Sequence, residues 1–143
     1  YDQGVGELSD AASALDYLQS MNQNAKHCWV AGFSFGAWIG MQLLMRRPEI
    51  TGFVSVSPPA NMYDFSFLAP CPSSGLIING SADRVAPPAD TVNLVNKLHE
   101  HRPPCTKSPP DAICDALIQI DAKAPPDVIG FEAAQAHAAD SRA

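Results

Sequence analysis

Five residues, Gly32-Phe33-Ser34-Phe35-Gly36, have the types and spacing that can expose and activate a serine hydroxyl. Glycines two positions before and after a serine permit a turn too tight for side chains, and such a turn lifts the hydroxyl clear of its surroundings. The pentapeptide arises by chance in about one chain in twenty of this length, so its setting has to carry the reading. His27-Cys28-Trp29-Val30-Ala31 is short, apolar and β-prone and ends at Gly32, which predicts a buried strand. Ala37 to Arg47 is almost wholly apolar up to Arg46 and Arg47, which predicts a central helix stopping before Pro48. Between strand and helix, Ser34 would be held in a strained conformation, with Gly32 and Gly36 letting the two elements approach. The helix N-terminus turns backbone N–H groups outward, and the Phe35 N–H is the candidate donor to an oxyanion.

The rest of the chain supplies elements able to position that turn. Leu8, Ala11, Ala12, Leu15, Leu18 and Met21 recur at three- and four-residue steps, predicting an amphipathic helix over 7–21 with Gly4 and Gly6 just outside its start. Gly52 to Val56 and Gly75 to Asn79 predict two further strands, and Asp90 to His101 a helix whose Val92, Leu94, Val95 and Leu98 share one side. A stiff connection over 57–74 carries four prolines among Met62, Tyr63, Phe65, Phe67 and Leu68. Strands alternating with helices imply parallel βαβ units, hence an α/β fold with helices on both faces of the sheet. After His101 proline pairs and alanine dominate. The expectation is therefore a core over 1–101 and an atypical tail over 102–143, disordered or read in a shifted frame, in which only Ala116 to Ile120 is strand-like and Phe131 to Asp140 weakly helical.

Composition excludes several classes of function. The 143 residues carry a net charge of −6 with no Lys/Arg-rich run, which argues against nucleic acid and anionic membranes as partners. No apolar stretch reaches the ~20 residues of a membrane span. Cys28, Cys71, Cys105 and Cys114 lack metal-ligand spacing, so neither a zinc site nor any other cofactor is expected, and thiols without a visible signal peptide point to a reduced, cytoplasmic setting. A start at Tyr1 rather than Met suggests that the parent protein continues upstream.

Val30 to Ala37, Pro58-Pro59-Ala60-Asn61 and Gly80-Ser81-Ala82-Asp83-Arg84-Val85 together resemble short bacterial α/β-hydrolases related to dienelactone hydrolase and prolyl-peptidase-type domains, over roughly residues 1–101. The resemblance implies acyl transfer to water on an ester-like small molecule without a cofactor, with Ser34 as nucleophile, Asp83 as the acid and the base later in the chain. It also implies that the first strands and the second oxyanion donor lie upstream of Tyr1. Family members place the base in a Gly-x-x-His segment, which is missing here. His27 precedes the nucleophile, His99 and His101 lie on or at the end of the helix after Asp83, and His137 alone combines the right chain order with a place beyond that helix. Met62, Tyr63, Phe65 and Phe67 are candidate pocket residues for an apolar acyl or alcohol group, since loops after strand C-termini border the crevice of a parallel sheet. Without its base the chain would turn over little substrate, and the alternative reading is a non-catalytic binding or interaction module. The first strand, lacking upstream neighbours, would present an edge through which the chain self-associates.

Overall fold

Apolar runs separated by turn residues become four parallel strands, β1 (Trp29–Phe33), β2 (Gly52–Val56), β3 (Ser74–Gly80) and β4 (Ala116–Ile120), ordered β1-β2-β3-β4 in one sheet. A computed structural model describes residues 2–100 and 116–120. Strand β4 falls inside the segment that composition sets apart from 102 onward, and it pairs with β3 from Leu76↔Ala116 to Gly80↔Ile120. The weak helical pattern over 131–140 lies outside the described residues.

Side chains alternate between the faces of a strand, so the register decides what shares a face. Val30 is level with Phe53 and Gly75, and Gly32 with Ser55 and Ile77. This face is the covered one. Phe53 and Ile77 are fully buried and join a single core with residues of α1 (Val5–Met21), α2 (Phe35–Arg46), α3 (Pro88–Glu100) and the short 3-10 turn Ser66–Leu68. Helix α2 is the centre of that layer, burying Ala37, Ile39, Gly40, Met41, Leu43 and Leu44 against β1, β2, α1 and the 3-10 turn. Gly40 marks a close approach of helix and strand there, since a Cβ would stand 3.0 Å from Val30 Cγ2.

Helix α1 buries Leu8 and Leu15 and packs along α2, while Tyr17, Leu18 and Met21 stay exposed. Its start differs from the sequence reading. Gly4 is the N-cap at φ 99° and Gly6 lies inside the first turn, because the Glu7 carboxylate reaches back to accept the N–H groups of Asp2 (2.9 Å) and Gly4 (3.0 Å). Those bonds hold Glu7 below the usual carboxylate range. At the far end of α2, the Arg47 guanidinium donates to Glu49 at 2.6 Å and to Asp16 on α1, tying the two helices together.

Of the two helical layers expected, the described residues supply one. The opposite face presents Trp29, Ala31 and Phe33 from β1, Val54 and Val56 from β2, and Leu76 and Ile78 from β3. Strand β1 is therefore not the buried strand that its apolar run predicts. Among the described residues it has a neighbour on one side only, and Trp29 is 50% and Phe33 69% exposed.

Candidate active site

Ser34 leaves β1 at φ 52°, ψ −120° and caps the N-terminus of α2. A positive φ is uncommon for a residue with a Cβ and persists only where its surroundings enforce it. Here the Ser34 N–H donates to Val56 O at 2.9 Å, extending the ladder between β1 and β2 by one rung, while the Ala37 N–H closes the first helical turn onto Ser34 O at 2.9 Å. The strand–turn–helix expected at the pentapeptide is present. Its two glycines are unequal, however. A Cβ on Gly32 would lie 2.3 Å from Gly36 O and 2.6 Å from Ala37 N, so Gly32 is what lets the helix backbone cross the strand end. A Cβ on Gly36 would meet nothing within 4 Å among the described residues, which corrects the expectation that both glycines relieve a contact.

Asp83 follows β3 in the turn 80–86, two strands away from Ser34 at the same C-terminal edge of the sheet. Its Oδ1 accepts the N–H groups of Val85 and Ala86, each at 2.9 Å, and its own N–H donates to Gly80 O at 3.1 Å. The Ala86 N–H holds the carboxyl below the usual aspartate range; partial burial opposes this, and the Ser57 hydroxyl and the Val85 N–H add to it. Two asparagines brace the same turn. Buried Asn79 donates through Nδ2 to Ala86 O at 3.2 Å, and Asn61 donates to Val85 O at 3.0 Å.

Three residues of this arrangement escape a reading of sequence alone: Ser57, Asn61 and Asn79. Ser57 stands one residue past β2 with φ 47° and donates its N–H to Ile78 O at 2.7 Å. The visible signal for it is position, since it ends the strand between those of Ser34 and Asp83 and precedes Pro58.

The aromatic residues divide. Phe35, Trp38 and Tyr63 form one cluster, with ring centroids 5.6 Å apart for Phe35 and Tyr63 and 4.6 Å for Trp38 and Tyr63. Beyond Tyr63, a half-open cavity of about 570 Å³ lies between the 60–69 segment and α3. Tyr63 and Phe65 line it with Leu94 and Leu98, under a rim that includes Asp64, Asp90 and Lys97. Neither Ser34 nor Asp83 reaches this cavity. Of the other two pocket candidates, Met62 is 55% exposed and Phe67 packs against the core.

No family model matches the chain. The uncharacterised protein RP471 of Rickettsia prowazekii is 55% identical over 101 residues, 68% of this chain and 42% of that protein. A crystal structure of a protein of unknown function from Agrobacterium tumefaciens, described as a candidate α/β hydrolase, is 59% identical with a TM-score of 0.69, covering 85% of this chain and 50% of that one. An α/β serine hydrolase homologue from Coxiella burnetii is 26% identical with a TM-score of 0.70, covering 85% of this chain and 51% of that one. The chain belongs to the α/β-hydrolase superfamily. It spans about half the length of the proteins it matches.

Of the four histidines of this α/β-hydrolase chain, one has a described side chain. His101 and His137 lie outside the described residues, and only the backbone of His99 is described, on α3. His27 precedes β1, at the end of the sheet opposite Ser34. Among the described residues no helix is long and apolar enough to cross a membrane, and no cluster of His, Cys, Asp and Glu is arranged to hold a metal ion.

Proposed function

We propose that this α/β-hydrolase chain carries the nucleophile and the acid of a serine hydrolase that transfers the acyl group of an ester-like small molecule to water. Ser34 Oγ attacks the carbonyl carbon and gives its proton to an imidazole, for which His137 is the sequence candidate. The oxyanion is held by backbone N–H groups that include that of Phe35. The imidazolium, steadied by the ionised Asp83, protonates the departing alcohol, and water then repeats the sequence to release the acid and restore Ser34. The observation that carries this reading is the pairing of a strained Ser34 at the strand–helix turn with an ionised, turn-locked Asp83 at the same edge of the sheet. The aromatic cluster of Phe35, Trp38 and Tyr63 beside Ser34 supports an apolar group on the substrate.

A second reading has its own support. That reading is a binding module without a working base, favoured by the lack of a Gly-x-x-His segment in the 143 residues. A fluorophosphonate probe separates the two, because it modifies only a serine whose hydroxyl is activated. The hydrolase reading expects one label per chain, mapped to Ser34, lost in Ser34→Ala and slowed by about 10³–10⁴ in Asp83→Asn. Absence of label on the unmodified protein would support the module, and label surviving Ser34→Ala would overturn Ser34 as the nucleophile.

A further inference from the structure

We propose that Asn61 is a positioning residue for Asp83, its side-chain amide holding the Val85–Ala86 peptide group from one side so that the Ala86 N–H stays aimed at the carboxylate from the other; this rests on reading Asp83 as the acid of the site. The carbonyl of 85 and the N–H of 86 belong to one planar trans peptide group, in which they point in opposite directions and move together. Asn61 Nδ2 donates to Val85 O at 3.0 Å, and the Ala86 N–H donates to Asp83 Oδ1 at 2.9 Å. One rigid group thus carries both bonds. A hydrogen bond accepted at the carbonyl end polarises the N–H at the other, so Asn61 strengthens the bond to the carboxylate as well as aiming it. The Ala86 N–H is also the chief influence that holds the Asp83 carboxyl below the usual aspartate range.

Asn61 can serve as an anchor because the chain around it is fixed. Pro58 and Pro59 are fully buried and their rings restrict φ. The turn they open is closed by the Ala60 N–H onto Pro58 O at 2.8 Å and by the Met62 and Tyr63 N–H groups onto Pro59 O, each at 3.0 Å. At its root the Ser57 N–H is bonded to Ile78 O, so the exit of β2 is joined to β3 before Asn61 reaches the turn that follows β3. An aspartate commonly bonds the backbone of its own turn, and the bonds from 85 and 86 to Oδ1 are of that local kind. Asn61 adds a hold from outside the turn, on the strand adjoining the one that delivers Ser34. Fixing Oδ1 fixes the plane of the carboxylate, and with it the direction of Oδ2. Asn79 holds the next carbonyl, Ala86 O, but it is buried in the core, whereas Asn61 is exposed and its loss need not disturb the fold.

Two substitutions separate this role from support of the fold. Asn61→Ala and Asn61→Leu both remove the donor, one leaving space and the other filling it. Asn61 and Val85 are exposed, so Val85 O can bond water instead, and both variants should unfold at the denaturant concentration of the unmodified protein. The Asp83 carboxyl, followed by carbon-13 NMR against pH, should nonetheless titrate higher in both, towards the ordinary aspartate range. Fluorophosphonate labelling of Ser34 should slow about three- to tenfold in its bond-forming step with initial binding of the probe unchanged, the loss of one neutral hydrogen bond. An Asp83 titration unmoved in both variants overturns the route through the peptide group. A moved titration with unslowed labelling overturns the positioning role. A lowered unfolding midpoint with titration and labelling both unmoved reduces Asn61 to a support of its loop and overturns the proposal. Failure of the unmodified protein to label sinks the hydrolase reading and the positioning role with it, while the titration still reports whether Asn61 sets the surroundings of Asp83.

Discussion

Substituting alanine for Gly32 is the sharpest structural test of the turn at Ser34. The new Cβ would stand 2.3 Å from Gly36 O, 2.5 Å from Gly36 C and 2.6 Å from Ala37 N, where real Cβ atoms keep about 3.0 Å or more. All three obstacles are backbone, so no rotamer change relieves them. The first turn of α2 would have to lift by roughly 0.7 Å, the shortfall between a 3.0 Å limit and the 2.3 Å contact. That turn is held by Ser34 O accepting from Ala37 N–H, and by Ala37 and Ile39 packed in the core. Forcing a methyl into such a place costs about 3 kcal/mol, the upper end of ordinary overpacking. For a chain of 143 residues that corresponds to a fall in Tm of about 6–12 °C. Gly36→Ala provides the control, since its Cβ meets nothing within 4 Å among the described residues. It replaces a helical glycine by the best helix former and should leave the protein as stable or more stable by up to about 1 kcal/mol. Thermal and urea unfolding of the two variants beside the unmodified protein decide the matter. Equal stability of Gly32→Ala and Gly36→Ala would refute the close crossing of strand and helix.

Two further perturbations test the strain and the charge at the site. Ser34→Gly should relieve the cost of φ 52° and stabilise the protein by about 1 kcal/mol while abolishing fluorophosphonate labelling, and a destabilised variant would show that the turn is not strained. Because Asp83 is held below the ordinary aspartate range, the stability it contributes is complete above the unfolded-state value and lost as pH falls through the folded-state value. Urea unfolding should therefore show a loss below about pH 4 that is flattened in Asp83→Asn. An identical acid limb in both proteins would remove Asp83 from the account.

The elements were legible in the sequence where a local pattern decided them. Strand β2 occupies 52–56 as its apolar run suggests, and α2 is as enclosed as its all-round hydrophobicity implies. Strand β1 ends one residue later than expected and α2 begins two residues earlier, because the serine between them is itself the cap. Glu7 moves the start of α1 by bonding back to Gly4, an effect that periodicity does not register. Strand β4 was visible as a pattern, though composition placed it outside the core, because pairing with β3 is a non-local fact. At the site, Ser34 and Asp83 stand at one sheet edge, while Ser57 and Asn79 had no motif to announce them and Asn61 stood in one that assigned it no part. Ser57 bonds to the next strand and both asparagines to the turn 80–86, contacts that no local pattern registers. The 57–74 segment has no period, so tertiary packing alone sent Tyr63 and Phe65 to a cavity and Met62 to solvent.

The ladder bonds that bind each strand's last residue to its neighbour turn the sheet into a ruler. Neighbouring strands lie about 4.8 Å apart, so residues leaving first and third strands at one edge start roughly 9.6 Å from each other before their turns bring them closer. An imidazole with a hydrogen bond at either nitrogen spans about 7–8 Å, counting two bonds of roughly 2.8 Å and the ring between them. One intervening strand is therefore the spacer that admits a ring, whereas adjacent strands would crowd it out. Strand β2 supplies that spacer, and its exit has to leave the gap clear while staying pinned at Val56 and Ile78. The turn at Ser57 into Pro58 and Pro59, both buried, carries the chain away from that opening. Inserting or deleting a residue within β2 would shift this exit by about 3.3 Å and flip its side chains, closing the gap without touching Ser34 or Asp83.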